Sequence, residues 1–278
     1  MLMSSRKWSL STVVLVVVLG IVAIIMILPF YWMVITSFKA RYECLLFPIR
    51  WIPTQWHFEN YPNALAQGNF ARYFLNTTFV AMVVVVARLL SGSLVGYALA
   101  KYNYPVLNVF FIFVLGTMMV PSHVILVPIY LVMKSFGWID TYYALIVADL
   151  IGAFDIFLMR QVSLDIPDEL IDAARVDGCS EFGIWQRIVL PNVKAGLVTL
   201  ATFDFLMMWN SFYWPLLVIG TDDLRTLPLA LSLFQSRAGT EYHLLMAVST
   251  MMTLPTILIF VFLQRYYMAS ITMTGLKL

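Results

Sequence analysis

The stretch from Pro167 to Pro191 reads PDELIDAARVDGCSEFGIWQRIVLP, and it is the most charged window of a very apolar chain. Asp168, Glu169, Asp172, Arg175, Asp177, Glu181 and Arg187 stand close together in it. Each such charge would cost roughly 2.5–3.5 kcal/mol at the centre of a bilayer, so the stretch belongs in water. It is nevertheless built to be helical. Pro167 suits a first helical position, and Asp168 and Glu169 favour the positive end of the helix dipole. Leu170, Ala173, Ala174 and Asp177 recur at i, i+3, i+4 and i+7 and so share a face with small side chains at its centre. Gly178 can take the left-handed conformation that ends a helix. Ser180 can cap a second short helix running to about Ile188, with Pro191 as its breaker. The expectation is a helix–turn–helix on the water side of a membrane, offering a narrow face that fits a groove on another molecule.

The same residues carry a resemblance. Asp172-Ala173-Ala174, three residues, Gly178, nine residues, then Ile188-Val189-Leu190-Pro191 resembles the EAA signature of ABC-importer permeases, E-A-A-x3-G-x9-I-x-L-P. The one departure is Asp172 for Glu, which keeps the charge and shortens the reach. Arg160-Gln161, Trp209-Asn210 and Trp214-Pro215 extend the similarity to carbohydrate-uptake permeases of the maltose-transporter type over nearly the whole chain. The resemblance implies an all-α, polytopic type I importer permease with a cytoplasmic coupling helix, in a bacterial or archaeal cytoplasmic membrane. It also implies partners: a second homologous permease subunit, two copies of a cytoplasmic ABC ATPase and an extracytoplasmic solute-binding protein. ATP and Mg would sit on the partner ATPase, with no cofactor bound by this chain. Glu169, Asp172, Ala173, Ala174, Gly178, Ile188, Leu190 and Pro191 become the expected ATPase-coupling residues, and a sugar or related polyol the expected cargo.

Composition supports the class independently. The chain is 62% hydrophobic and 12% charged, with a mean hydropathy of +0.87, against about 25% charged in a soluble domain. A formal net charge of +2 gives no footing for nucleic acid. Six stretches are long enough to span, near 12–37, 74–99, 107–132, 141–160, 195–219 and 244–266, making one permease domain of 1–278 in contact with membrane lipid. The first follows Arg6 and Lys7 like a signal peptide, but its apolar run exceeds a 7–15-residue signal core, so it is read as retained. Lys101, Arg160, Arg175, Arg187, Lys194, Arg265 and Lys277 join Arg6 and Lys7 on one side. Lys39, Arg41, Arg50, Arg72, Lys134, Arg225 and Arg237 fall on the other. That bias puts both termini and the loop 161–194 in the cytoplasm. Cys44 and Cys179 then lie on opposite sides, so no disulfide joins them.

Two outer segments are expected. Residues 38–73, with Trp51, Trp56, Phe58 and Tyr61, read either as membrane-surface packing or as a contact for an extracytoplasmic partner. Residues 221–243 are too long for a tight turn and suit the outer mouth of a pathway. Gly92 and Gly96 make a G-xxx-G step, read as helix packing rather than as a site.

Enzymatic motifs are missing. Lys134-Ser135 is the only Lys followed by Ser or Thr, and Met133 stands where a phosphate-binding loop needs glycine. His57, His123 and His243 are scattered, and neither H-E-x-x-H nor G-x-S-x-G occurs. The chain is therefore read as no enzyme, with energy supplied by another polypeptide or by an ion gradient. An ion-coupled secondary transporter is the alternative; it should show helices interrupted near the midplane, whereas these spans read as mostly continuous.

For the pathway, Asp204 falls about ten residues into the fifth span, roughly 15 Å deep. Met208 and Ser211 follow at i+4 and i+7, giving a mixed polar and adaptable stripe suited to a sugar. Asn210, and Asp155 in the fourth span, complete the candidate set, with Asp149 as a further intramembrane acid. Arg88 is the one cation at that depth, so Asp204 either lines a cavity or pairs with Arg88 to hold helices together.

Overall fold

The computed structural model describes residues 10–236 and 239–274, with side chains placed for 10–235 and 239–264. Arg6, Lys7, Arg237, Arg265 and Lys277, used above for orientation, lie outside the described side chains. The chain divides into two units, residues 1–68 with 231–254 and residues 69–230 with 255–278.

In the first unit, α1 (Leu10–Ser37) is apolar on every side, and its most apolar 18 residues bury nothing against the rest of the chain. Such a helix is stable only in hydrocarbon or against another protein. Beyond Ser37 the chain folds back on itself. Phe38 meets the rings of Trp56, Phe58 and Tyr61 at 5.2–5.4 Å. Lys39 is fully buried; its Nζ donates to the Arg50 carbonyl at 2.7 Å and lies 3.8 Å over Trp32. Asn60, opening α2 (Asn60–Leu65), donates to the carbonyls of Ser37 and Lys39, each at 2.9 Å. The segment after α1 is thus tied to itself, while Trp56 and Phe58 stay exposed.

The second unit is organised by α3 (Phe70–Lys101), a single unbroken helix. Around it the expected spans are in pieces. The third is α4 (Pro105–Met118) and α5 (Ser122–Ser135), bent by 102°. The fourth is α6 (Tyr142–Val147) and α7 (Ala153–Leu164), neither long enough to cross alone. The charged stretch follows as α8 (Asp168–Val176) and α9 (Glu181–Ile184), continued by a π-helical turn over Trp185–Val189 and by α10 (Leu190–Asn192). The fifth span is α11 (Lys194–Trp209) and α12 (Tyr213–Val218). After α13 (Leu227–Ala230), a two-residue hairpin (Gln235–Ser236 with Gly239–Thr240) precedes α14 (Tyr242–Thr274).

Among the described residues three helices, α1, α3 and Tyr242–Gln264, are long and apolar enough to cross a membrane, or up to five spans if each bent pair counts as one. The expectation of mostly continuous spans is therefore corrected: three of the six stretches are interrupted. Gly152, which ends one break, and Pro215, which follows another, are the local reasons. Pro191 is a second correction: it lies inside the helical run Glu181–Asn192, just past the π-helical turn, and the 81° bend falls at Val193 instead.

Close packing of α3 on α7 rests on Gly92 and Gly96. A Cβ on Gly96 would stand 2.6 Å from the Met159 Cβ and 2.7 Å from the Arg160 nitrogen; one on Gly92 would stand 2.9 Å from the Asp155 Cβ. The packing reading of the G-xxx-G step is the one the geometry bears out. At its other end α3 holds the segment after α12. The Tyr73 hydroxyl donates to Asp222 at 2.7 Å, the Asn76 amide reaches the carbonyls of Asp223 and Arg225 at 2.9 Å, and Thr77 Oγ1 accepts from the Leu227 N–H at 2.7 Å. Asp140, at φ 60°, ties two loops: its Oδ1 accepts from the N–H groups of Gly220 and Thr221 and from the Thr221 hydroxyl, each at 3.0 Å.

Candidate functional site

Two regions concentrate polar chemistry, the charged stretch and a cavity among broken helices. In the charged stretch, α8 ends as its sequence dictates. Gly178 has φ +80°, the Cys179 N–H bonds the Ala174 carbonyl at 2.9 Å, and the Gly178 N–H bonds the Arg175 carbonyl at 3.1 Å. This is a Schellman stop. Ser180 then accepts from the Gly183 N–H at 3.2 Å and starts α9.

One part of the expected outward face is corrected. Ala174 turns inward with Ile171 to pack among Tyr97, Met159, Ile184 and Trp185, because it lies three residues from the one large apolar side chain α8 can bury. Glu169, Asp172, Ala173 and Val176 form the exposed i, i+3, i+4, i+7 face, and Phe182 is exposed beside it in sequence. Gly178 and Pro191 are exposed, while Ile188 and Leu190 are half-buried against the same core.

Ion pairs stiffen this element. Arg175 Nε donates to Glu181 Oε1 at 2.8 Å and Arg175 Nη1 to Asp172 Oδ1 at 3.0 Å, while the Tyr97 hydroxyl donates to Glu181 Oε2 at 3.0 Å. The Arg175 guanidinium, helped by the hydroxyls of Tyr102 and Tyr97, holds the Glu181 carboxyl down to about 2. Lys101 Nζ donates to the Ile166 carbonyl at 2.5 Å and to Asp168 at 2.6 Å. The motif gave no sign of Tyr97 or Lys101, whose partners Glu181 and Asp168 lie more than 60 residues away in sequence.

The second region lies where two helices break. A cavity of about 350 Å³ is lined by His123, Ala148, Asp149, Met208, Asn210, Ser211, Tyr213 and Trp214 among others, and Asp149, Met208, Ser211 and Trp214 also face an adjoining recess of about 10 Å³, room for one water. Both breaks, 148–152 and 210–212, supply lining residues. Irregular backbone at membrane depth is tolerated only against protein or a water-filled cavity. Met208, Asn210 and Ser211 share this lining, without Asp204.

Asp204 and Asp155 are placed elsewhere. Asp204 is buried and pairs with Arg88 at 3.0 Å, and Arg88 also grips Asp149, at 2.8 Å to Oδ1 and 2.6 Å to the carbonyl. The pairing alternative for Asp204 is the one the geometry shows, and Asp149, set aside in favour of Asp204, is the acid at the cavity. Asp155 is buried at the first turn of α7, folded so tightly against Gly152 that a Cβ there would overlap its carboxylate. Asp155 Oδ1 and Asp204 Oδ2 have no hydrogen-bond partner among the described residues.

Comparison with known proteins places this architecture. The sequence profile of the family described as "Binding-protein-dependent transport system inner membrane component" matches residues 92–272. The arabinooligosaccharides transport system permease protein AraQ of Halalkalibacterium halodurans is 35% identical over 259 residues, 92% of this chain and 93% of that protein. AraQ of Bacillus subtilis is 31% identical over the whole of both chains, and the lactose transport system permease protein LacG of Rhizobium radiobacter 30% identical over 96% of this chain and 97% of that one. The fold resembles that in a crystal structure of a bacterial ABC transporter involved in the import of the acidic polysaccharide alginate, with a TM-score of 0.83 and 22% identity over 96% of this chain and 100% of that one. The chain belongs to the inner membrane components of binding-protein-dependent transport systems, and it is a transport permease rather than an enzyme.

Proposed function

We propose that this chain is one of two permease subunits of an ATP-driven importer for an oligosaccharide, with the cavity beside Asp149 on the solute's route. The observation that carries the reading is that cavity itself. It sits at two helix breaks, combines a carboxylate, an amide and hydroxyls with the rings of Tyr213 and Trp214, and measures about 350 Å³. Carboxylates accept from pairs of sugar hydroxyls, and aromatic faces cover the apolar faces of the ring. The names of the relatives, transporters of arabinooligosaccharides and lactose, support the cargo class.

In this reading the exposed face of Glu169, Asp172, Ala173 and Val176 docks on one of two cytoplasmic ATPase subunits, which hold ATP and Mg, and a solute-binding protein delivers cargo from outside. Six crossings, with both termini and residues 161–194 in the cytoplasm, follow from the distribution of Lys and Arg. Broken helices are also what an ion-coupled carrier uses, so the interruptions do not separate the two mechanisms. The docking element and the family membership favour ATP. Reconstitution of the chain with its partner permease, ATPase and binding protein in proteoliposomes tests the proposal. ATP-dependent uptake of a labelled oligosaccharide is expected; uptake driven by an ion gradient without ATP would overturn it.

A further inference from the structure

We infer that α3 transmits movement between the docking element and the cavity wall, gripping the first through Tyr97 and Lys101 and the second through Arg88. The inference rests on the importer reading above. Three observations converge on it. At its cytoplasmic end α3 is clamped to the docking element twice, by the Tyr97 hydroxyl on Glu181 at 3.0 Å and by Lys101 on the Ile166 carbonyl at 2.5 Å and on Asp168 at 2.6 Å. Glu181 passes the first clamp on to the exposed face, through Arg175 to Asp172.

Nine residues earlier, about 13 Å along the axis, Arg88 holds the cavity acid Asp149 by both its carboxylate and its carbonyl. The same guanidinium holds Asp204 on α11. Between these grips α3 is continuous, whereas α4–α5, α6–α7 and α11–α12 are interrupted. An unbroken helix moves as a rod; a broken one flexes at its break. Gly92 and Gly96 set α7 against that rod without an intervening side chain, and α7 runs directly into the docking element. A push on Asp172 or Glu169 therefore reaches Asp149 through rigid parts, and a solute engaging Asp149 acts back along the same parts, as linkage requires.

Tyr97, Lys101 and Arg88 are positioning residues in this scheme, and their test needs a readout that simple destabilisation does not move. The full complex is reconstituted in proteoliposomes with Tyr97→Phe, Lys101→Gln, the two combined, or Arg88→Lys. Assembly, ATPase activity without sugar, and sugar moved per ATP hydrolysed are measured on each. Tyr97→Phe and Lys101→Gln are expected to assemble and to keep unstimulated ATPase activity. The combined variant should move at least about fivefold less sugar per ATP, the lower end of ordinary coupling strengths. Arg88→Lys, which keeps the charge but not the fork that holds both Asp149 groups, should show the same loss. Should Arg88→Lys fail to assemble, the Tyr97 and Lys101 variants decide. Wild-type sugar per ATP in the combined variant would overturn the inference alone. A wild-type complex with no ATP-dependent uptake would overturn the importer reading and this inference with it.

Discussion

Replacing Gly96 by alanine adds one methyl group at the closest approach of α3 and α7. That methyl would stand 2.6, 2.7 and 2.8 Å from the Met159 Cβ, the Arg160 nitrogen and the Met159 carbonyl carbon, against an ordinary contact of 3.4 Å or more. The helices must part by about 0.8 Å at that point, and because two of the three atoms are backbone, no side chain can rotate away. Overpacking of this kind costs roughly 1–3 kcal/mol, and the rigid neighbours argue for about 3. Alanine regains up to about 1 kcal/mol of helix propensity, which leaves a net loss of about 2 kcal/mol. The same substitution at Gly20 in α1 or Gly116 in α4 meets nothing within 4 Å, so there it should be neutral or gain up to about 1 kcal/mol. Reversible unfolding of the purified permease in mixed detergent measures all three. Gly92→Ala, with its nearest contacts at 2.9 and 3.2 Å, should fall between them. Equal stability of Gly96→Ala and Gly116→Ala would refute the close-packing argument.

Gly178→Val should insert normally but lose sugar-stimulated ATPase activity, because φ +80° costs a β-branched residue at least about 1–2 kcal/mol. Beyond its chain neighbours, no described atom lies within 4 Å of the new Cβ, so the effect is one of conformation, and Gly178→Asn should be milder; full activity in the valine variant would count against it. Asp204→Asn should weaken assembly by less than the 3–5 kcal/mol of a fully broken buried pair, because Arg88 keeps Asp149; unchanged unfolding would show that the pair holds nothing. Glu181 sits at about 2, below its unfolded value of about 4.3. Its clamp is therefore fully present above pH 4.3 and lost as pH falls towards 2, so hydrogen exchange across α8 and α9 should show no change in local opening between pH 8 and 5, once corrected for intrinsic rate. A loosening near pH 6 would assign the clamp elsewhere.

What the sequence reveals here is what is local. The stop at Gly178, the cap at Ser180 and the small-residue step at Gly92 and Gly96 each depend on a few neighbouring residues, and all three appear in the structure as read. The breaks were visible in principle, since Asp149 stands three residues before Gly152 and Asn210-Ser211 stand just before Pro215, but an apolar run of span length hides them. Asp149 could not be ranked above Asp204 from spacing alone, because the choice depends on where Arg88 reaches from 61 residues away. Ala174 shows the converse: a helix face is fixed by what it packs against, and Ile171 decided which side of α8 turned inward.

The two helix breaks carry an electrical consequence. On the proposed solute route, water reaching them would shorten the insulating layer, so most of the membrane voltage would drop across whatever thickness stayed sealed. Moving one elementary charge through 100 mV is worth about 2.3 kcal/mol. Asp149 lines the cavity and Arg88 holds it from the buried side, so this pair by itself brings little net charge into that field. An unpaired charge at the same place would make every opening of the pathway voltage-dependent.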